Sequence, residues 1–272
     1  MTEIEDFNDD GKPFPLWRGR DAEGERRFEM DRRVFRTAAT IVVAANGGPL
    51  RTIVTGGKII HTGEFQSRKC GRTCAWESDE VERPGMMEAE VLTEVKWWLA
   101  QPFRCEIQDG ARTLIYIPDQ VRRVLEGDVW RVVVIEYKRH LSEAEKDPEY
   151  ARKLDAFREI CSGLRWKFDI RTKADLGTPT YRRNVAMIAS DRRTHLGNRD
   201  IDAVREIASG GAFAYGAACE RLGGYVAGKK KLHAMMVCRI VSIPLNRTIL
   251  RGTPVTLVDR SREPIGGVGL FG

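Results

Sequence analysis

The sequence predicts an α/β fold with a mixed central sheet flanked by helices, followed by a small C-terminal winged-helix-like module. Two observations predict the first part. A helical spacing of apolar residues precedes a series of β-rich runs, and a further helix and strand follow those runs. The second part is predicted by three helical segments ahead of a hairpin-like segment. A chain of 272 residues is long enough for both.

The N-terminal elements are predicted as follows. Residues 1–34 are polar and charged, so we expect an extended or disordered arm. Strand-like runs at 39–44 and 50–55 flank turn-forming residues at 46–49, which indicates a hairpin.

A helix and several strands are predicted for the central part of the chain. Met87, Val91, Val95 and Trp98 recur at helical spacing, which predicts one helix from 81 to 99. The period then changes to two, which is typical of strands. We expect strands at 103–107, 113–117, 121–125 and 130–137, a helix at 142–162 and a strand at 165–170.

The turn-rich segment 172–184 predicts a boundary before the C-terminal module. Helical patterns and a hairpin pattern then follow one another, and the end of the chain is rich in glycine. We expect helices at 200–209, 212–222 and 229–241, a hairpin at 242–258, and domains at 35–172 and 180–260 with a Gly-rich tail at 261–272.

Composition narrows the function classes. No apolar run approaches the length of a membrane span, and the acidic N-terminus has no signal-peptide core, so a cytoplasmic protein without a membrane partner is expected. The net charge of +6 weakly favours a nucleic-acid-binding protein over a generic basic protein. Cys70 and Cys74 are four residues apart, but no paired histidines complete a zinc pattern, so free thiols are expected.

Asp119, Glu136 and Lys138 carry the most informative chemistry. Side chains alternate along a strand, so Glu136 and Lys138 share a face, and an adjacent strand end can bring Asp119 beside them. Two neighbouring carboxylates suit Mg²⁺, and the lysine would orient or activate water or stabilise charge on a phosphate. The sequence is also compatible with Glu136 and Lys138 as solvent-facing residues of an edge strand.

This pattern resembles the PD-(D/E)XK nucleases, and residues 64–170 resemble the N-terminal domain of TnsA endonucleases, the endonuclease subunits of heteromeric transposases. Residues 180–258 resemble the small C-terminal domain of such proteins. The matching segments are Phe65-x-Ser67-x-Lys69, Trp76-Glu77-Ser78, Glu82-Arg83, Gln101-Pro102, Tyr116-x-Pro118-Asp119, Glu136-Tyr137-Lys138 and Arg165-Trp166-Lys167-Phe168.

The resemblance implies a PD-(D/E)XK restriction-endonuclease-like core and a further catalytic glutamate on the first long helix. Its spacing ahead of the Gln-Pro pair points to Glu82, while Glu80, Glu88 and Glu90 are further candidates. Glu82, Asp119 and Glu136 are then the expected ligands of Mg²⁺, with Mn²⁺ as a substitute, and Lys138 completes the catalytic set. The sequence departs from the family at Pro84, Gly85 and Gln120.

The family also implies hydrolysis of double-stranded DNA, with a partner transposase and an ATP-dependent regulator. A stand-alone phage or defence nuclease is equally compatible with the motifs. So is a non-catalytic DNA-binding or assembly protein on a nuclease-like scaffold. An unrelated basic α/β protein, in which the motif arose by chance, is the last class that the sequence leaves open.

The last predicted helix supplies candidate DNA contacts. Lys229, Lys230 and Lys231 form a cluster, and Arg239 follows them. As the third helix of a winged-helix-like module, this segment is expected to lie on DNA. A module of this kind could instead bind a protein partner.

Overall fold

A computed structural model of the chain describes residues 2–3, 16–18, 24–31, 35–46, 48–49 and 61–261. The protein has a mixed α/β structure with several sheets. The strands are β1 (Thr2–Glu3), β2 (Leu16–Arg18), β3 (Glu25–Met30), β4 (Ala39–Ala44), β5 (Gly63–Gln66), β6 (Thr73–Trp76), β7 (Val95–Ala100), β8 (Arg104–Asp109), β9 (Arg112–Tyr116), β10 (Gln120–Glu126), β11 (Val129–Tyr137), β12 (Lys167–Arg171), β13 (Phe213–Ala214), β14 (Val241–Ser242) and β15 (Pro254–Leu257).

The helices are α1 (Glu82–Val91), α2 (Ser142–Glu145), α3 (Pro148–Gly163), α4 (Pro179–Ser190), α5 (Asn198–Ile207), α6 (Tyr215–Arg221) and α7 (Tyr225–Val237). None of these described helices combines the length and the apolar composition that a membrane span needs. The strand predicted at 50–55 and the tail beyond residue 261 lie outside the described residues.

The mixed sheet predicted for the centre of the molecule is confirmed. Its strand order is β12-β11-β10-β7, with β11 parallel to β12 and antiparallel to β10. Residues 132–137 of β11 are all buried, as expected for a central strand that is covered on both faces. Two acids of the candidate site, Asp119 and Glu136, lie at one end of its inner strands β10 and β11.

Six further strands of the N-terminal half form a second sheet, and β5 pairs with β6 in a separate two-stranded sheet, which corrects the expectation of one mixed sheet. The order of the six-stranded sheet is β1-β2-β3-β4-β8-β9, and every pair is antiparallel. The runs predicted at 103–107 and 113–117 therefore belong here. Residues 25–30, which the sequence pattern assigns to the arm, also pair in this sheet, because Phe28 and Met30 supply buried side chains to its core.

Helix α1 ends at Val91, so the expectation of a helix through residue 99 is wrong. Leu92 is extended, and the Lys69 ammonium donates to the carbonyl oxygens of Ala89 and Leu92, at 3.0 and 2.6 Å, where the helix ends. Residues 95–100 form β7, which pairs with β10. Valine and tryptophan favour strands, and this pairing outweighs the helical spacing of Val95 and Trp98.

The predicted helix at 142–162 is divided. Pro148 begins α3, and the Asp147 carboxylate accepts hydrogen bonds from the backbone of Glu149 and Tyr150, so a new helix starts there. A helix also occupies part of the expected boundary at 172–184. Thr178 caps α4 ahead of Pro179, and these two residues are start signals within a turn-rich segment.

The C-terminal half contains α5, α6 and α7 together with a small sheet of order β13-β15-β14. Strands β14 and β15 pair antiparallel within the predicted hairpin segment. The buried His233 imidazole joins three helical segments, because Nδ1 is 2.7 Å from Oδ2 of Asp191 and Nε2 is 2.8 Å from the Tyr215 hydroxyl.

The two halves share helix α1. Val91 belongs to the core of the C-terminal half, with Val185 and Ile188 of α4, while Ala89 belongs to the N-terminal core. Met87 packs against both cores. The candidate site at the start of α1 is therefore supported from both halves of the chain.

Candidate active site

Asp119 lies where three strands of the mixed sheet meet. Gln120, the first residue of β10, pairs with Ile135 of β11, and continuing this antiparallel register places Asp119 opposite Glu136. The Asp119 Oδ2 atom accepts a hydrogen bond of 2.7 Å from the Tyr137 amide. The carbonyl of Asp119 also accepts from the Gln101 amide, at 3.0 Å, just after β7. The backbone thus holds this carboxylate at the end of β11.

The Glu136 carboxylate is buried and surrounded by donors. Its Oε2 atom accepts from the Tyr116 hydroxyl at 2.8 Å, and its Oε1 atom accepts from Lys138 Nζ at 2.7 Å. The Tyr150 hydroxyl, from α3, donates to the same Oε1 atom. Glu136 is only 4% exposed, so a solvent-facing edge strand does not describe its position.

Lys138 stays positively charged in this site. Burial by itself would lower the pKa of Lys138, but attraction to Glu136 and hydrogen bonds to Glu136 and Tyr150 raise the pKa above its usual 10.5. The ammonium also lies 4.6 Å from the centre of the Tyr150 ring. A protonated lysine with 21% of its side chain exposed can stabilise negative charge, but it holds no lone pair for proton removal.

The pKa of Asp119 is raised as well, but for a carboxyl this shift favours the neutral form. Burial, followed by repulsion from Glu136 and then from Glu82, raises the pKa of Asp119 well above its usual 3.8. The Tyr137 amide and Lys138 only partly oppose this rise. The site therefore holds more negative charge than its single lysine offsets, and either a proton or a cation at Asp119 would relieve the repulsion.

Among the four candidate acids, Glu82 is the one that acts on Asp119. It is the first residue of α1, and its Oε2 atom accepts from the Glu77 amide at 2.8 Å. Glu80 lies 3.5 Å from Lys173 at the surface, and Glu90 is fully buried, where it accepts from the Trp98 indole at 3.0 Å.

Glu88 serves a buried ionic network behind the site. Burial alone would raise the pKa of Glu88, but Arg122 and Arg171 lower it to about 2. The Arg122 Nη1 atom is 3.0 Å from Glu88 Oε2, Arg171 also donates to Glu88, and the Tyr181 hydroxyl donates at 3.1 Å. Tyr181 belongs to α4, so the network joins α1 to the C-terminal half.

Two departures from the family pattern contribute to this network. Gln120 Oε1 accepts from Arg122 Nε at 2.7 Å and from the Tyr137 hydroxyl at 2.9 Å. A Cβ atom at Gly85 would lie 2.1 Å from that hydroxyl, so glycine allows Tyr137 to approach α1. The Gly85 carbonyl accepts from Arg122 Nη2 at 2.8 Å. Both departures therefore support the strand end that positions Glu136.

The donor chemistry of the acidic cluster fits a hard divalent cation. Within the part of the chain that the structure describes, no group of three or more histidine, cysteine, aspartate or glutamate side chains is arranged so that it could hold a metal ion. Asp119 and Glu82 nevertheless supply carboxylate oxygens beside Glu136, and oxygen donors are those that Mg²⁺ and Mn²⁺ prefer. Positive charge at Asp119 would relieve its repulsion from Glu136 and Glu82.

Sequence reasoning missed several residues that build the site. Tyr116 and Tyr150 orient Glu136, while Arg122 and Arg171 hold Glu88. Tyr116 belonged to a recognised motif, but only the structure shows its hydroxyl against Glu136. For the other three residues the sequence offers no local signal, since their contacts span 14 to 83 positions.

The four residues predicted to contact DNA differ in their exposure to solvent. Lys230 is exposed and Lys229 is half-buried, while Lys231 Nζ binds Asp200 Oδ1 at 2.6 Å. Arg239 is 5% exposed, donates from Nε to the Thr93 carbonyl at 2.6 Å, and is 5.0 Å from the Trp130 ring centre. The expectation that Arg239 lies on a surface that contacts DNA is therefore wrong. Arg239 follows the end of α7 and links the two halves instead.

Among the described residues, Cys70 and Cys74 belong to no group of three or more possible metal ligands. Both are buried, and their Sγ atoms are 3.3 Å apart. All six cysteines are free thiols.

In comparisons with known proteins, no protein-family model and no curated protein matches this chain.

Proposed function

We propose that this chain is a metal-dependent DNA endonuclease of the TnsA type with a PD-(D/E)XK site. The observation that carries the proposal is the position of Asp119 beside Glu136 at neighbouring strand ends, with Lys138 bound to Glu136 and Glu82 acting on Asp119. Excess carboxylate charge is what a divalent cation offsets, and a fixed ammonium is suited to a reaction that develops negative charge on phosphate. The small C-terminal half would serve as the winged-helix-like module.

The residues divide the chemistry among them. Glu82, Asp119 and Glu136 would hold Mg²⁺ or Mn²⁺, which when bound supplies positive charge beside the phosphate and acidifies water. Lys138 would donate a hydrogen bond to a phosphate oxygen and stabilise the charge that develops there. The Tyr116 and Tyr150 hydroxyls keep the Glu136 carboxylate in place, so that its orientation does not depend on solvent.

The overall reaction is hydrolysis of a phosphodiester. Water adds to phosphorus, the bond from phosphorus to the 3′ oxygen breaks, and that oxygen leaves with a proton as a 3′-hydroxyl. The other product is a 5′-phosphate. Because Lys138 is protonated before the reaction, we assign it to charge stabilisation and not to proton removal from water.

Double-stranded DNA is the proposed substrate. A partner transposase and an ATP-dependent regulator are the proposed protein partners, and a stand-alone phage or defence nuclease would use the same site.

Plasmid cleavage tests the function. Supercoiled plasmid is incubated with purified protein in Mg²⁺, in Mn²⁺ or in chelator, and the nicked and linear forms are measured. We expect cleavage by the wild type only with metal and loss of cleavage in Glu136→Gln. Glu126→Gln is the matched control, because Glu126 is the last residue of β10, at the end away from Asp119, and pairs with Lys167. DNA binding without cleavage under all conditions would indicate a non-catalytic assembly protein.

A further inference from the structure

A basic groove lies apart from the acidic cluster. It has a volume of about 450 Å³ and is formed by the turn between β5 and β6 and by the segment 193–195. Its lining includes Arg68, Arg72, Arg193 and His195, and no aspartate or glutamate lines it within the described residues. Ser67, Thr73 and Thr194 add hydroxyl groups, and Gln66 and Gly71 complete the lining, so the groove offers positive charge together with neutral hydrogen-bond donors.

Arginine side chains hold the two walls of the groove together. Arg68 Nη1 donates to the carbonyl oxygens of Arg192 and Thr194, at 3.2 and 3.3 Å. In the reverse direction, Arg192 Nε donates to the Gln66 carbonyl at 2.6 Å, and Arg193 donates to the Gln66 side chain. Because these acceptors are neutral, none of these hydrogen bonds pairs Arg68 or Arg193 with an acid.

Helix α1 connects the groove to the acidic cluster. Glu90 Oε1 accepts from the Arg68 amide at 2.6 Å, and Glu90 Oε2 accepts from the Ser67 hydroxyl at 2.5 Å. The groove is thus anchored to the C-terminal end of the helix whose first residue is Glu82. Eight residues separate Glu82 from Glu90, which corresponds to about 12 Å along the helix axis. That length matches roughly four phosphates of one DNA strand.

The groove also continues toward the lysines of α7. Asp200 is bound by Lys231, and His195 acts on the same carboxylate, so the groove and α7 share this neighbour. Lys69, which the sequence groups with Arg68 and Arg72, does not contribute, because it is buried against the end of α1. The groove therefore lies between the β5–β6 turn of the N-terminal half and a segment of the C-terminal half that neighbours α7 at Asp200.

We propose that this groove binds the phosphate backbone of duplex DNA a few nucleotides from the phosphate that is cleaved. The inference rests on the proposed function, in which duplex DNA is bound at the active site beside Glu82. Arginine forks and hydroxyl groups are the donors that bind DNA phosphates without reading sequence. The groove would therefore set the position of the duplex and leave the choice of sequence to other contacts.

The test compares two pairs of substitutions that remove the same charge. The groove variant is Arg72→Gln with Arg193→Gln, and the control is Arg131→Gln with Arg158→Gln, at exposed positions outside the groove. Binding to a short fluorescent duplex is measured in Ca²⁺ at several salt concentrations. At about 0.15 M salt each lost phosphate contact lowers affinity about fivefold, so the groove variant, which loses two, should bind about 25-fold more weakly.

The salt dependence supplies an independent readout. The log–log slope of affinity against salt should become shallower by about two in the groove variant and stay unchanged in the control. Thermal unfolding checks that both variants are folded. A milder pair covers the case in which the groove variant unfolds: Thr73→Glu adds an acid at an exposed groove position, and Thr113→Glu adds one at an exposed position on β9.

The outcomes separate this inference from the proposed function. Weaker binding by Thr73→Glu than by Thr113→Glu supports the groove. If both groove variants bind and respond to salt as their controls do, while the wild type binds and cleaves DNA, the groove inference is overturned alone. If the wild type neither binds nor cleaves duplex DNA, the proposed function is overturned and the groove inference with it.

Discussion

Replacing Glu88 with glutamine should reveal that this residue stabilises the fold and does not take part in catalysis. The side chain is 7% exposed and is held by Arg122, Arg171 and Tyr181. The pKa of Glu88 falls from 4.5 to about 2, and this difference corresponds to about 3 kcal/mol of stability from the ionised form. Glutamine keeps the shape but leaves two arginines without their carboxylate, a change that costs a similar amount in other buried ion pairs.

The stabilisation by Glu88 depends on pH with a defined sign. A carboxyl whose pKa is lowered in the folded protein stabilises it above the ordinary pKa and loses that effect as the pH falls toward the folded value. We therefore expect Glu88→Gln to lower the free energy of unfolding by about 3 kcal/mol near neutral pH. The difference from the wild type should shrink as the pH falls from about 4.5 toward about 2.

Urea unfolding at several pH values measures this effect. The matched control is Glu80→Gln, because the Glu80 side chain is 45% exposed and lies 3.5 Å from Lys173. An exposed pair of this kind contributes less than about 1 kcal/mol. If Glu88→Gln is as stable as Glu80→Gln, or if folded Glu88→Gln loses cleavage while Glu82→Gln retains it, the assignment of the two glutamates is refuted.

Three further predictions follow from the site and the C-terminal core. Lys138→Met should lower the cleavage rate by about 10²–10³ with unchanged Mn²⁺ binding, and a folded variant with the wild-type rate would remove Lys138 from the mechanism. The double variant Asp119→Ala, Glu136→Ala should lose Mn²⁺ binding in calorimetry, and binding equal to the wild type would contradict the metal assignment. Burial lowers the pKa of His233, although Asp191 partly opposes this shift. The wild type should therefore lose stability as the pH falls through about 6.5, and His233→Gln should not. Equal dependence of urea unfolding on pH in the two proteins would contradict this prediction.

The positions of Asp119, Glu136 and Lys138 were predictable because they depend on local rules. A strand alternates its side chains, and an adjacent antiparallel strand places its first residues beside the last residues of its neighbour. The register of β10 against β11 has this arrangement. Glu82 came from the family resemblance and not from local rules, since four glutamates share this part of the chain.

The failures at α1 and α4 also have physical reasons. The apolar residues at 95–99 fit a helical stripe and a buried strand equally well, and only pairing with β10 decides between them. Helix α4 was not predicted because Gly177, Thr178 and Pro179 are typical of turns, although such residues also begin helices. Arg239 was misplaced because a cation in a basic segment does not reveal which side of the fold it faces.

The side chains that hold Glu136 and Glu88 in place could not be predicted from the sequence. Tyr116 lies in the antiparallel sheet and Tyr150 in α3, yet both donate to Glu136 in the mixed sheet. Such contacts arise from the packing of one layer on another, which no local pattern encodes. The same holds for Tyr181, which reaches Glu88 from a position 93 residues away.

The rate of plasmid nicking by Asp119→Asn is the measurement that tests the central claim most directly. The substitution keeps the size of the side chain and removes the negative charge of Asp119, which would bind the cation together with Glu82 and Glu136. Asp109→Asn is the control, because 38% of the Asp109 side chain is exposed and its carboxylate lies 3.5 Å from Arg152, outside the site. We predict that Asp119→Asn nicks at least about a hundredfold more slowly in Mg²⁺, while Asp109→Asn matches the wild type. Equal rates for a folded Asp119→Asn and the wild type would contradict the proposed active site.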